Sequence, residues 1–429
     1  MQLRWSLILA SIVGAVPLSA GDPQPVLLLT GAEILEVRGG GILTDRDVLI
    51  EGNRIKRIAN AGQIEAPLGA IRIDLSGLVL MPGLIDLHTH LLLHPYDETS
   101  WNDQVLKEAL ELRTIRATVA ARATLEAGFT TIRDLGTEGA AFADVAVRDA
   151  INAGMIPGPR VVTVTCALVA TGCYGPSGFD PRWPMPVGAQ VADGPVGVRK
   201  AVREQIAAGA DWIKVYADYR RKPGDPSTPT FSQEELNAIV DESRSAGLRV
   251  AAHAVTDEAI RRSVMAGIAT IEHGTEASSE VLALMKEHGV ILCPTLAASE
   301  AMARYSGWEP GMPDHARITA SKEMFQRAMA AGVTIACGSD AGVFAHGDNL
   351  REVELMVAYG MTPTMAIAAS TVGPGRLLRP ENDLGQVAEG FLADLIAVKG
   401  RPTEDVSVYR KPVIVIRDGR IVVDRREAP

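Results

Sequence analysis

The sequence predicts an α/β chain: a (β/α)8 barrel of the TIM type with a small β-sandwich domain built from both termini. Three observations lead there. From Leu78 onward, helix-like stretches repeatedly end in a small residue and a glycine, and a β-rich run follows. Those runs are continuously apolar, as parallel strands covered by helices must be. The two ends of the chain instead show short β-like runs around turn signals. An open, doubly wound sheet is the alternative that the same alternation allows.

The first twenty residues stand apart. Met1-Gln2-Leu3-Arg4 is basic, Trp5 to Leu18 is almost wholly apolar, and Ser19-Ala20 gives a small-residue exit. This is the layout of a secretory signal peptide cleaved after Ala20. The apolar run falls short of the ~20 residues that span a bilayer. Residues 1–20 are therefore expected to be removed, leaving an exported protein, periplasmic or secreted, with no membrane contact in its mature form.

Residues 21–80 supply the N-terminal part of the expected sandwich, with runs such as "DVLI". The expected barrel covers 81–385. Its eight strand candidates, the first beginning just before that boundary, are "LVLMPGLIDLHTH", "FTTIRDLG", "RVVTVTCALV", "DWIKVYAD", "LRVAAHAV", "IATIEHG", "VILCPTL" and "VTIACGSDAG". Glycines such as Gly209 and Gly332 precede most of them, where a left-handed residue ends a helix. Between strands, residues 195–208 place Val198, Val202 and Ile206 on one helical face. Residues 386–429 return to β character, with Asp418-Gly419 as a hairpin turn.

Composition narrows the function. At 429 residues the chain exceeds the ~250 to 300 at which one core stops growing, so a main domain needs an accessory. Net charge is -10 and no Lys/Arg cluster appears, which excludes a nucleic-acid partner needing a basic surface. Cys166, Cys173, Cys293 and Cys337 are too few for a disulfide scaffold and lack zinc-type spacing. They are expected as thiols, with room for one bridge at most.

In such a barrel the chemistry gathers at the C-terminal ends of strands. His88 and His90 end the first, Arg133 and Asp134 the second, Lys214 and Tyr216 the fourth, His253 the fifth, His273 the sixth and Asp340 the eighth. His88 and His90 alternate with Thr89, so their imidazoles share one side, as two ligands of one metal require. A lone His-X-His is weak evidence. The recurrence of His253, His273 and Asp340 at equivalent strand ends makes it a pattern, and imidazole plus carboxylate without cysteine suits Zn2+ or another divalent ion. Lys214 reads in two ways: a salt-bridged barrel lysine, or an amine that has captured CO2 as a carbamate.

At these residues the chain resembles the metal-dependent amidohydrolase superfamily. "MPGLIDLHTH", "WIKVY", "AAHAV", "IEHG", "GSDAG" with "HGDN", and "EGFLADLIAV" match its motifs in order. The resemblance implies two metal ions, His88 and His90 on one, His253 and His273 on the other, and carboxylated Lys214 bridging them. It implies Asp340 on the first ion, taking a proton from the attacking water. Within the superfamily the chain is similar to the prolidase-like and imidazolonepropionase-related group, whose members remove C-terminal amino acids from dipeptides and N-acyl amino acids. The implied substrates include ochratoxin A, giving ochratoxin alpha and phenylalanine. A cyclic amide or a lactone is the alternative, and a non-catalytic periplasmic binding protein a second one. The group also implies a homo-oligomer, as large as an octamer.

One departure bears on substrate recognition. Where many relatives carry Thr-Gly-Gly-His-Gly, with a histidine for the substrate carboxylate, this chain has Thr171-Gly172-Cys173-Tyr174-Gly175. Tyr174, Tyr216, Tyr219, Arg220 and Arg221 are the candidates to replace it, since phenols and guanidinium forks donate hydrogen bonds to carboxylates. His346, in "AHGDN", is a further substrate candidate or a packing residue. His94 and His315 are expected to be structural or solvated, and His288 to sit at a helix C-terminus. Arg133 and Asp134 are expected to pair and orient a ligand histidine. The long loop from Gly172 to Gly194, with Tyr174, Phe179 and Trp183, is expected either to shape an apolar pocket or to meet another subunit.

Overall fold

The computed structural model describes residues 25–180 and 182–426. The expected leader lies outside them. Among the described residues, no helix is long and apolar enough to cross a membrane.

Both ends of the chain meet in one sheet. Strand Leu27–Glu36 pairs antiparallel with Gly41–Glu51, which pairs with Arg54–Asn60. Along its other edge Leu27–Glu36 is shared, first by Ile71–Asp74 and then by Val79–Pro82. Leu395–Val398 pairs with Val79–Pro82, and the Ile414–Arg417 and Arg420–Asp424 hairpin completes the eight strands. Asp418 and Gly419 sit at φ 55° and 74°, the turn that matches strand twist in a two-residue hairpin. The sheet is thus single and branched at its first strand. It buries a core of its own, including Leu29, Ile34, Val48, Leu80, Leu395 and Ile416.

The first predicted strand is really two. Val79–Pro82 belongs to the terminal sheet, and after Gly83 the strand Leu84–Thr89 enters the parallel part. Glycine is needed at this crossing: a Cβ on Gly83 would lie 2.1 Å from the Thr130 hydroxyl. Leu84–Thr89, Phe129–Asp134 and Arg160–Thr163 pair in parallel. A second parallel ladder runs through Leu168–Val169, Ile213–Tyr216, Val250–Ala254, Thr270–His273 and Ile291–Cys293. Hydrogen bonds join the ladders on both sides. Thr163 O accepts from Asp211 N (2.8 Å) and Trp212 N (3.1 Å), while Cys337 O accepts from Leu87 N (2.9 Å) and Leu292 N donates to Thr334 O (2.9 Å).

Two predicted strands are interrupted. Thr165, at φ 63°, splits "RVVTVTCALV" after Thr163. The segment around "VTIACGSDAG" makes only isolated parallel bridges, Leu292 to Ile335 and Thr89 to Ala341, because Asp340 at φ 64° leaves the β region. The helices fit the sequence better. Gly194–Ala208 buries Val198 and Val202 and ends at Gly209, φ 103°, as its glycine requires. The four cysteines are free, Cys293 and Cys337 buried and Cys166 and Cys173 half-buried.

Candidate metal centre and its pocket

His88 and His90 converge on Asp340. His88 Nδ1 lies 2.9 Å from Glu272 Oε2 and donates to that carboxylate, which leaves Nε2 bare, 3.5 Å from Asp340 Oδ1. His90 Nδ1 donates to the Gly136 carbonyl at 2.9 Å, and its Nε2 lies 3.3 Å from the same Asp340 oxygen. One ligand atom from each of the three residues falls within 4.8 Å of the others. The backbone enforces this, since Asp340 N donates to His88 O at 2.7 Å.

Two more imidazoles stand beside them. The His273 ring centroid is 5.1 Å from that of His88 and 4.6 Å from that of His253. Thr295 donates its hydroxyl proton to Pro294 O (2.8 Å), so at 2.7 Å His273 Nδ1 is the donor and its Nε2 is bare. His253 Nε2 lies 3.6 Å from Asp218 Oδ1. That carboxylate also takes the N–H groups of Val255 and Thr256. His273, Thr295 and Asp340 all have positive φ, backbone strain of the kind that collects at functional sites.

Electrostatics hold the His88, His253 and His273 rings neutral around an anion and make His90 the exception. Burial, with the charge of Lys214 added, holds His88 well below the usual histidine range and His273 at about 4, although Asp340 pulls the other way. Burial, His273 and Lys214 hold His253 well below it. Burial also works against the charge on His90, but Asp340, Glu138 and Asp134 lift it to about 9. Asp340 is held well below the carboxylate range by His88, His90 and His273, against its burial. Lys214 is 1% exposed, and burial brings it down to about 8. Among the described residues no carboxylate forms an ion pair with its ammonium, which stands 5.6 Å from the Tyr216 ring centroid, while Glu272 and Asp340 act on it from further away. Four imidazoles, three of them neutral, a carboxylate and an easily deprotonated amine form a donor set that fits divalent metal ions.

Behind the histidines the structure places acids that the sequence did not reveal. Glu272 holds His88 and is itself held by Arg133 (2.9 Å) and Thr270 (2.5 Å). Arg133 therefore pairs with Glu272 and not with Asp134, because strand alternation sends neighbours to opposite faces. Asp134 takes the backbone N–H groups of Leu91 and Gly136 instead. Asp86 ties the first strand to the Asp340 segment, accepting from His88 N, Ser339 N, Ser339 Oγ and Asn349 Nδ2. Glu272 adjoins His273 and Asp86 precedes His88 by two residues, which is the signal that marks them.

The substrate candidates divide. Tyr216 is buried and stacks on His253 with centroids 4.8 Å apart. Tyr174 lies 4.5 Å from Tyr216 and 5.0 Å from Tyr219. The hydroxyls of Tyr174 and Tyr216 both donate to Glu138, another residue that sequence reasoning missed. Tyr219, Arg220 and Arg221 line a cleft of 580 Å³ together with Trp101, Tyr174 and Trp183. The Arg220 guanidinium sits 5.2 Å over the Tyr219 ring. His346 turns away from this cleft. Its Nε2 donates to the carbonyls of His90 (3.1 Å) and Leu93 (3.3 Å), which gives it a packing role. His94 is held by Glu108, His315 caps the helix Ala316–Ala331, and His288 follows the helix Ser279–Glu287.

Comparison with known proteins gives the chain its relatives. The profile described as Amidohydrolase family matches residues 79–422. Ochratoxinase of Aspergillus niger is 34% identical over 79% of this chain and 73% of its own length. Imidazolonepropionase of Mycolicibacterium smegmatis is 24% identical over 93% of this chain and 96% of its own. A solved Xaa-Pro dipeptidase with bound methionine in the active site superposes with a TM-score of 0.82 at 33% identity, covering 93% of this chain and all of that one.

Proposed function

The chain belongs to the amidohydrolase family, and from that premise we propose a two-metal hydrolase that cuts the amide bond to a C-terminal amino acid in dipeptides and N-acyl amino acids, ochratoxin A among them. It is an enzyme acting on amide bonds. The observation that carries the finer reading is the convergence of His88 Nε2 and His90 Nε2 on the Asp340 carboxylate, with the His253 and His273 rings alongside. We read residues 81–385 as a (β/α)8 barrel and the two ends as its accessory β domain, where one branched sheet stands in place of the expected sandwich and buries a core of its own. The mature protein would lack residues 1–20, act outside the cytoplasm and form a homo-oligomer.

In this reading His88, His90 and Asp340 would hold one divalent ion and His253 and His273 the second. Two such ions, when bound, polarise the scissile carbonyl and make water nucleophilic near neutral pH. Lys214, buried and, among the described residues, without a carboxylate at ion-pair distance, would be the amine suited to capture CO2 as a carbamate ligand. Asp340 accepts the proton of the attacking water and returns it to the leaving nitrogen. Glu272 keeps His88 in the tautomer that presents Nε2, and Arg133 keeps Glu272 in place. At the rim, Arg220 and Arg221 offer guanidinium groups to the substrate carboxylate.

A relative named ochratoxinase and a neighbour named Xaa-Pro dipeptidase that holds methionine support this substrate class. The test is amino-acid release by the zinc-loaded protein from N-acyl amino acids, dipeptides and ochratoxin A, with and without a chelator. Chelator-sensitive release is expected. The imidazolonepropionase relative favours a second reading, a cyclic amide or lactone substrate. Silence on every linear amide, with metal bound, would replace the first reading by the second.

A further inference from the structure

Glu138 is a buried acid for which the proposed chemistry has no use. It is 2% exposed, and at φ 50° its backbone takes a conformation that a non-glycine residue keeps only when its surroundings impose it. Among the described residues no Lys or Arg pairs with its carboxylate; Arg113 bonds only its backbone carbonyl, at 2.8 Å. A buried carboxylate is costly unless hydrogen bonds occupy its lone pairs. Three do so. Tyr174 Oη and Trp101 Nε1 (2.9 Å) donate to Oε2, and Tyr216 Oη (3.3 Å) donates to Oε1.

The position of Glu138 rules out one role. Its Oε1 lies 3.9 Å from His90 Nδ1, the ring nitrogen that faces Gly136 and not Asp340. Glu138 therefore stands on the far side of that ring from the ligand atoms. What it gathers instead is aromatic surface from separate elements: Trp101 from the helix Trp101–Lys107, Tyr174 from a loop and Tyr216 from a strand end. Tyr174 packs 5.1 Å from Trp101 and 4.5 Å from Tyr216, and Tyr216 stacks on His253. The wall runs unbroken from the open cleft to the metal centre.

A phenol carries a single proton. Tyr174 gives its proton to Glu138, and Tyr216 gives its own to Glu138 or to Tyr174 Oη at 3.4 Å, so neither has one for a substrate carboxylate, and what they offer a ligand is ring surface. We propose that Glu138 is a positioning residue that locks Tyr174, Trp101 and Tyr216 into an aromatic wall, against which the pocket reads the side chain of the leaving amino acid. The pocket then favours aromatic residues over small ones, because aromatic pairs gain from ring contact beyond the area they bury. This deepens the amide-hydrolase reading and rests on it.

The test uses the full-length, zinc-loaded protein and its Glu138→Gln, Tyr174→Phe and double variants. Calorimetry measures binding of free L-phenylalanine, and steady-state kinetics compare N-acetyl-phenylalanine with N-acetyl-glycine. Each single substitution is expected to weaken L-phenylalanine by about 10-fold, the effect of losing a hydrogen bond to a charged group. KM for the phenylalanine substrate should rise in parallel while kcat, zinc content and the glycine substrate hardly move. The double variant should be no worse than either single one, since both break the same bond. Equal weakening of both substrates by Tyr174→Phe would overturn the proposal, because the hydroxyl would then serve the carboxylate. Additive effects or loss of zinc would overturn it too. Should Glu138→Gln fold poorly, Tyr174→Leu, which removes the ring, must still abolish the preference for phenylalanine. A wild-type protein that binds L-phenylalanine but cleaves no linear amide would sink the function and leave the wall standing; one that does not bind it sinks the wall.

Discussion

The metal cluster and the aromatic cleft share one face of the molecule but are built from different materials. His88, His253 and His273 lie within strands, and Asp340 is fixed by its backbone bond to His88. Tyr174, Arg220 and Arg221 belong to loops and a short hairpin, and Tyr174 finds its acceptor, Glu138, elsewhere in the chain. A strand end has its direction set by period two before any tertiary contact forms. A loop side chain does not. Chemistry common to a family is therefore expected at the cluster and substrate choice at the cleft, and the two should respond differently to substitution.

The sharpest break falls on the cluster. Asp340→Asn keeps the size of the side chain but removes the proton acceptor, and turnover should drop by about 10³-fold or more. Measured against wild type at equal zinc content, a residual rate within tenfold would remove Asp340 from proton transfer. Lys214→Ala comes next. If the lysine bridges two ions, metal stoichiometry by atomic absorption should fall together with activity. Full metal occupancy with activity lost would instead leave it a structural lysine of the strand Ile213–Tyr216.

Legibility in the sequence follows the same division. The His88-Thr89-His90 alternation and the recurring strand-end polar residues can be read because regular periods fix them. The hairpin at Asp418-Gly419 can be read because its turn chemistry is local. Glu272 and Asp86 escape because a buried carboxylate within a strand shows its purpose only through a distant partner, Arg133 for one and Asn349 for the other. The pairing expected between Arg133 and Asp134 fails for the reason that made the histidines legible, since adjacent strand residues face apart. Glu138 sits in a turn after a strand, where no period applies, and its three partners lie 37, 36 and 78 residues away.

Glu272→Gln probes the support of the cluster and not its ligands. The amide preserves shape but weakens the acceptor for the His88 N–H, and it leaves Arg133 facing a neutral group in a fully buried place. Substitutions of this kind cost metal affinity about 10- to 100-fold. Competition with a chelator of known strength measures the loss directly. A wild-type affinity in Glu272→Gln would mean that the strand backbone alone orients His88.

The smallest effect is expected at the cleft, where Arg220→Ala sharpens the comparison by leaving the cluster intact. Arg220 is exposed and rests over Tyr219, so water screens its charge and its removal disturbs no core. If it receives the substrate carboxylate, KM should rise about 5- to 10-fold, the low end for a charge-assisted hydrogen bond, with kcat and zinc content unchanged. The control is an amidated substrate that lacks the carboxylate. Wild type should handle that substrate as poorly as the variant does, because the carboxylate and Arg220 are two halves of one contact. Were Arg220→Ala to penalise the amidated and the acidic substrates equally, the arginine would be acting through the Tyr219 ring it covers, and recognition of the carboxylate would pass to Arg221.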